Sequence, residues 1–160
     1  MKTVDELMKE FGEVHPIFDH FGLFTDNRER ATEFLMSIPG AKITVTRDCD
    51  FPVENVLIGT PMSIRIHHLD ICGVDVEVIE PLNSPDGYVA NIVKTHGETF
   101  HHVALTFKEH KEHLAMCEML AARGYKCVFQ SKVRDLLIDY WESSDNSAIT
   151  LELKSVRDDA

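Results

Sequence analysis

The stretch Phe100–Phe107, FHHVALTF, sets two adjacent histidines at the head of an apolar run. Its reading decides the fold, because the chain contains it twice. Asp19–Thr25, DHFGLFT, resembles His101–Phe107, HHVALTF, and each is a short strand-like run headed by a histidine. Neighbouring residues of a regular strand face opposite sides. The two histidines of FHHVALTF are therefore expected to do different jobs. The repeat pairs His102 with His20 and pairs His101 only with Asp19. It singles out His102 and leaves His101 a bystander at the strand edge.

The repetition extends well beyond these runs. Each strand is followed by a helical pattern. Ala31, Phe34, Leu35 and Ile38 recur at helical spacing in the first copy, and Leu114, Cys117, Leu120 and Ala121 in the second. Asp26 with Glu29, and Thr106 with Glu109, are placed as capping residues. Gly40 and Gly124 suit the left-handed position that ends a helix, and similar text follows each: GAKITV and GYKCVF. Both copies close on a strand with a glutamate between apolar residues, Glu77 in DVEVIEP and Glu152 in ITLELKS. The organisation predicted is a 1–14 N-terminal helix, a βαβββ module over 15–82, a linker with a short helix over 83–98, and a second βαβββ module over 99–155. The modules form one α+β domain, an open curled barrel with helices outside and a cleft inside.

Strand alternation then assigns faces. Val103, Leu105 and Phe107 pack towards a helix, as do Phe21 with Leu23, Val76 with Val78, and Leu151 with Leu153. His20, Glu77, His102 and Glu152 are left converging on the cleft. Two imidazoles and two carboxylates form a mixed nitrogen and oxygen donor set, suited to Co, Ni, Zn or Mn, or to Fe(II). Four protein donors on an octahedral ion leave two positions for water or substrate oxygens. The remaining histidines read as ordinary: His67 and His68 lack a counterpart in the repeat, His110 and His113 open an exposed helix, and His15 and His96 lie in loops. Glu80 reads as a strand-end surface residue, and Trp141 as a packing or cleft-lining ring.

Bulk properties agree. A chain of 160 residues suffices for one core without disulfide staples. A net charge of -11 and a pI near 5.2 argue against nucleic-acid binding, which depends on neutralising phosphates. The four cysteines form no C-x-x-C pair and read as reduced thiols of a cytoplasmic protein. The N-terminal MKTVDELMKEFGEV carries acidic residues and no long apolar run, so it reads as neither signal nor membrane span. Val4, Leu7, Met8 and Phe11 sit instead at helical spacing, with Thr3 and Glu6 as a capping box.

The repeat, with His20, His102 and Glu152, resembles the vicinal oxygen chelate superfamily of glyoxalase, bleomycin-resistance and extradiol dioxygenase proteins. The resemblance covers nearly all of the chain after the N-terminal helix. The text VEVIEPLNSPDGYVANIVKTHGETFHHVALTF is similar to methylmalonyl-CoA epimerases, where an ELLEPL strand leads to SP, a short helix, a glycine and HH. The resemblance implies a divalent metal on His20, His102 and Glu152, with Glu77 at the fourth position, and often a homodimer. It implies an epimerase-like isomerase that stabilises an enolate of an acyl-CoA. The alternatives are a glyoxalase I-type lyase, in which Glu152 or Glu77 doubles as base, and a metal-free binding or resistance protein of the same fold. An epimerase would use a further carboxylate, for which Asp50 and Glu54 are the nearest candidates. Lys94, Lys126, Lys132 and Arg134 are the candidate cations for coenzyme A phosphates.

Overall fold

The computed structural model describes residues 14–82, 84–143, 145 and 150–156, together with residues 3, 6 and 9. The first module runs β1 (Ile17–Phe24), α1 (Arg28–Met36), β2 (Lys42–Phe51), β3 (Val56–Ile58), β4 (Met62–Ile71) and β5 (Val74–Leu82). A linker helix α2 (Tyr88–His96) leads to β6 (Thr99–Phe107), α3 (His110–Ala122), β7 (Lys126–Val133), β8 (Leu136–Glu142) and β9 (Thr150–Val156). Most of the 1–14 helix expected from the sequence lies outside the described residues. Within it, Thr3 and Glu6 do make the reciprocal capping bonds, at 2.7 and 3.2 Å. Among the described residues, no helix is long and apolar enough to cross a membrane.

Among the described residues, nine strands form one sheet, in the order β2-β4-β5-β1-β6-β9-β8-β7-β3. The duplication is visible in that order. β1 and β6 pair antiparallel at the centre, and each is flanked by the closing strand of its own module in parallel, β5 and β9. The two ends of the sheet, β2 and β3, are consecutive in the chain and joined by residues 52–55 alone. The sheet must therefore curl until its edges nearly meet. β3, which has no counterpart in the second module, crosses the gap to pair with Ser131 and Gln130 of β7.

Two helices, α1 and α3, cover the outer face of this curl. α1 buries Ala31 and Leu35 against Leu23, Leu69, Val76 and Val78. Leu120 of α3 packs on Phe107, Trp141 and Leu153. The inner face holds a third cluster, with Phe24, Phe51, Ile64, Ile79, Phe129 and Tyr140, against which Val89 of α2 packs. Burying such a side chain contributes roughly 1.5–3 kcal/mol. A one-residue slip of β5 would put Glu77 into the α1 cluster and turn Val76 and Val78 inward, so the register is firmly set.

Local details differ from the sequence reading. α1 is capped by Asn27, whose side chain accepts from the Arg30 amide at 2.9 Å, rather than by Asp26. Glu80 is no idle surface group, since it accepts from the Arg28 amide at 3.1 Å and serves the same helix end. α3 starts after Glu109 without a side-chain cap, and Thr106 instead donates to Asp19 at 3.0 Å. Gly40 and Gly124 have φ of 86° and 87°, as the helix-ending role requires.

Candidate metal centre

The four residues singled out from the repeat meet at one point. His20, Glu77, His102 and Glu152 are all buried, and one donor atom from each lies within 4.8 Å of the others. His20 Nε2 is 2.9 Å from Glu77 Oε2, 3.1 Å from Glu152 Oε2 and 3.3 Å from His102 Nε2. His102 Nε2 is 3.5 Å from Glu152 Oε2 and 4.0 Å from Glu77 Oε2. Donors about 2.1 Å from a common ion stand ~3.0 Å apart at right angles and ~4.2 Å apart across it. The observed edges span that range, so the four side chains could hold a divalent ion with little movement. Among the described residues, buried Glu152 Oε2 accepts no well-directed hydrogen bond, a position that a bound cation would satisfy.

The strands place these groups by two bulges. Between Phe18 and Phe21 of β1, two residues, Asp19 and His20, oppose the single Ala104 of β6. Between the Gly22–His102 and Leu23–Phe100 pairs, β6 carries the extra residue His101. The bulges sit at matching points of the two modules, and bulges re-aim side chains. This overturns the expectation that His101 and His102 face opposite sides. His101 stacks on the inward-facing Phe24 at 4.2 Å, and its Nδ1 is 3.2 Å from His102 Nδ1.

His101 is thereby joined to the centre. With His102 Nε2 turned to the ion site, its Nδ1–H donates to His101 Nδ1. The His101 Nε2–H donates to the Tyr88 hydroxyl at 3.0 Å, and that hydroxyl donates to Glu142. The tautomers follow from this network. Burial, with His102 beside it, pushes His101 down to about 3, so it stays neutral and able to accept. A ligand imidazole fixed by its second nitrogen is a recurrent feature of metal sites.

His68 was also misjudged. It lies across from Glu77 on β4, as Tyr140 lies across from Glu152 on β8, so it does have a positional counterpart. Its Nε2 is 3.1 Å from Glu77 Oε1 and its Nδ1 is 3.0 Å from Asp75 Oδ2. His68 and, at 3.7 Å, Arg47 hold one oxygen of Glu77 and leave the other for the centre. The signal was the cross-strand register, which a single copy of the sequence does not reveal. Gly22 was missed as well. A Cβ there would lie 1.9 Å from His102 Cε1, so the ring occupies the space a side chain would fill.

Without an ion, charge pairing holds the cluster together. Burial opposes a charged His20, but Asp19, Glu152 and Glu77 outweigh it and hold the imidazole up to about 11. Glu77 and Glu152 are depressed below the usual carboxylate range. For Glu77 burial is outweighed by His20 and His68, and for Glu152 by Lys154, His102 and His20. The centre opens on a cleft of about 990 Å³ lined by Arg47, Lys108, Arg134 and Lys154 as well as apolar residues such as Phe51 and Tyr140. Of the four cations expected for a phosphate, only Arg134 lines this cleft. Asp50 borders it from an exposed position, Glu54 is exposed in the turn after β2, and neither bonds the four donors.

The family model described as Glyoxalase/Bleomycin resistance protein/Dioxygenase superfamily matches residues 19–137. The chain belongs to that superfamily. The match includes His20, Glu77 and His102 and ends before Glu152, whose place at the centre rests on the geometry. Solved structures share the superfamily fold at low identity. A hypothetical protein from Bacillus halodurans C-125 is 19% identical with a TM-score of 0.63, over 91% of this chain and 97% of that one. Methylmalonyl-CoA epimerase from Mycobacterium tuberculosis is 17% identical with a TM-score of 0.61, over 87% of each chain. A Streptomyces coelicolor methylmalonyl-CoA epimerase variant, in complex with 2-nitronate-propionyl-CoA, is 18% identical with a TM-score of 0.61, over 87% and 96%. No curated protein matches the chain.

Proposed function

We propose that the chain is a divalent-metal-dependent enzyme that removes a proton beside a carbonyl and stabilises the resulting enolate. The reading favoured is an epimerase-like isomerase of an acyl-CoA or a similar activated acid. One observation carries it: His20, Glu77, His102 and Glu152 meet at one point, and their two glutamates line a cleft of about 990 Å³ that also presents Arg47, Lys108, Arg134 and Lys154. Solved epimerases of the same fold, one in complex with methylmalonyl-CoA, support the choice of substrate class. A bound Co, Ni, Zn or Mn ion would supply Lewis-acid stabilisation of the negative charge that develops on substrate oxygens.

The chain's own groups then divide the work. His20 and His102 are neutral donors when the ion is present, and Glu77 and Glu152 offset its charge. β5 and β9 flank the central pair, so the two glutamates approach the substrate from opposite sides. One acts as the carboxylate base that takes the α proton, and the other, after taking up a proton from solvent, acts as the acid that returns one to the opposite face of the carbon. His68 and Arg47 orient Glu77 for this task, and Lys154, 3.9 Å from Glu152 Oε2, does so for its twin. The cleft cations receive the carboxylate and phosphate groups of an acyl-CoA.

A glyoxalase I-type lyase is the second reading, favoured by the exposed positions of Asp50 and Glu54. Neither Asp50 nor Glu54 bonds the four donors, so a ligand glutamate is the base, as that chemistry also requires. Deuterium uptake from D2O at the α carbon of methylmalonyl-CoA, with and without Co(II), tests the first reading. Uptake that needs metal and is lost in Glu77→Gln is expected. No exchange across a range of acyl-CoAs, with turnover of methylglyoxal and glutathione, would replace it with the second.

A further inference from the structure

A second cluster of ligand-type side chains lies on the other side of the sheet. His113 and Cys117 are four residues apart on α3, which places them on one face of the helix. Asp139 lies beneath them on β8. It alternates with Tyr140, so it points away from the cleft towards α3. His113 and Asp139 are fully buried, and Cys117 is half-buried. His113 Nε2 is 2.7 Å from Asp139 Oδ2, and Cys117 Sγ is 3.3 Å from the same oxygen. One donor atom from each of the three lies within 4.8 Å of the others.

Two features set this cluster apart from an ordinary hydrogen-bond network. Asp139 Oδ1 is buried with no hydrogen-bond partner among the described residues, so the carboxylate is only half satisfied where water does not reach it. The second nitrogen of His113 is already fixed, since Nδ1 is 2.6 Å from Ser155 Oγ, which also contacts His110 at 2.9 Å. A histidine held in this way directs Nε2 at a metal ion.

We propose that His113, Cys117 and Asp139 form a second metal site, independent of the cleft, which takes a borderline-soft divalent ion such as zinc and pins α3 to β8. Imidazole, thiolate and carboxylate are all zinc donors, and a solvent molecule entering beside half-buried Cys117 completes a tetrahedron. Thiolate and carboxylate together neutralise the dication. On binding, the Cys117 S–H proton that now points at Asp139 is released to solvent.

Cobalt(II) titration of the purified protein, followed by absorbance, separates this site from the cleft. The four cleft donors include no sulfur, and with Cys49 also bordering the cleft it is a thiolate-to-cobalt charge-transfer band dependent on Cys117 that reports the second site. Wild type should bind two equivalents with the band, and His102→Ala should keep the band while losing one equivalent. Cys117→Ser should lose the band while keeping the other equivalent, and Asp139→Asn should weaken cobalt binding at the band. Circular dichroism checks that each variant folds. A folded wild type without the band, or a band that survives in Cys117→Ser, overturns the proposal whatever happens in the cleft.

Discussion

Gly22→Ala isolates the steric basis of the proposed metal centre. The φ of Gly22 is not in the left-handed range, so alanine meets no backbone strain there. The whole effect must come from the new methyl group, which would stand 1.9 Å from Cε1 and 2.1 Å from Nε2 of His102. Clearing even 3.0–3.4 Å requires the ring to retreat by about 1.1–1.5 Å. The ring is boxed in by Tyr140 at 5.1 Å, and by Phe24 and His20 at 5.5 Å. Metal–ligand distances tolerate only about ±0.2 Å, so a retreat of this size takes His102 out of the ligand set. Overpacking of this kind destabilises by about 1–3 kcal/mol, or roughly 2–4 °C in Tm per kcal/mol for a chain of this length. Metal affinity, read by isothermal titration, should fall by more than ~100-fold, beyond the loss of an outer-shell contact. In a His102→Ala background the methyl has room, and the same substitution should be nearly neutral for stability. Equal destabilisation in both backgrounds, or near-wild-type affinity in Gly22→Ala, would refute the reasoning.

Other consequences follow from the same geometry. His68→Ala frees Glu77 Oε1, and metal affinity by titration should drop about 10–100-fold while the fold is kept; unchanged affinity would make His68 a bystander. The proton that Asp19, Glu152 and Glu77 hold on His20 up to about 11 must leave when an ion enters. Metal uptake should therefore release protons to an indicator dye, and apparent affinity should rise with pH. In the metal-free protein the same raised pKa gives stability that is fully present below about 6.5 and lost as pH rises through about 11. Denaturation midpoints on either side of that window check it, and midpoints that do not fall would contradict it. Burial pushes Cys127 up to about 12 and Cys117 higher still, while Cys72 is exposed in the β4–β5 turn. A neutral-pH thiol reagent followed by peptide mass spectrometry should mark Cys72 first, and fast labelling of Cys117 would argue against its packing between α3 and β8.

Much of the centre was legible because duplication writes the same constraint twice. His20 with His102, and Glu77 with Glu152, recur at matching points of two βαβββ patterns, and period-2 alternation on β5 and β9 sends both glutamates inward. What alternation could not supply were its own exceptions. The bulges at Asp19–His20 and His101–His102 break the period at the very residues that matter, so His101 was assigned to the wrong face. His68 acts through its register against Glu77, a pairing between strands that periodicity within one strand does not carry. Gly22 has no side chain to read, and its role lies in the space it leaves. His113 looked like an exposed helix start because the α3 boundary and the inward turn of its face depend on packing against β8. β3 was unforeseen for a similar reason, since its partner β7 lies more than 70 residues away.

The most direct test of the metal centre is anomalous diffraction at the cobalt edge from crystals grown with Co(II). A peak is expected about 2.0–2.2 Å from His20 Nε2, His102 Nε2 and a carboxylate oxygen each of Glu77 and Glu152. Absence of a peak there from crystals that diffract and contain the ion would contradict it.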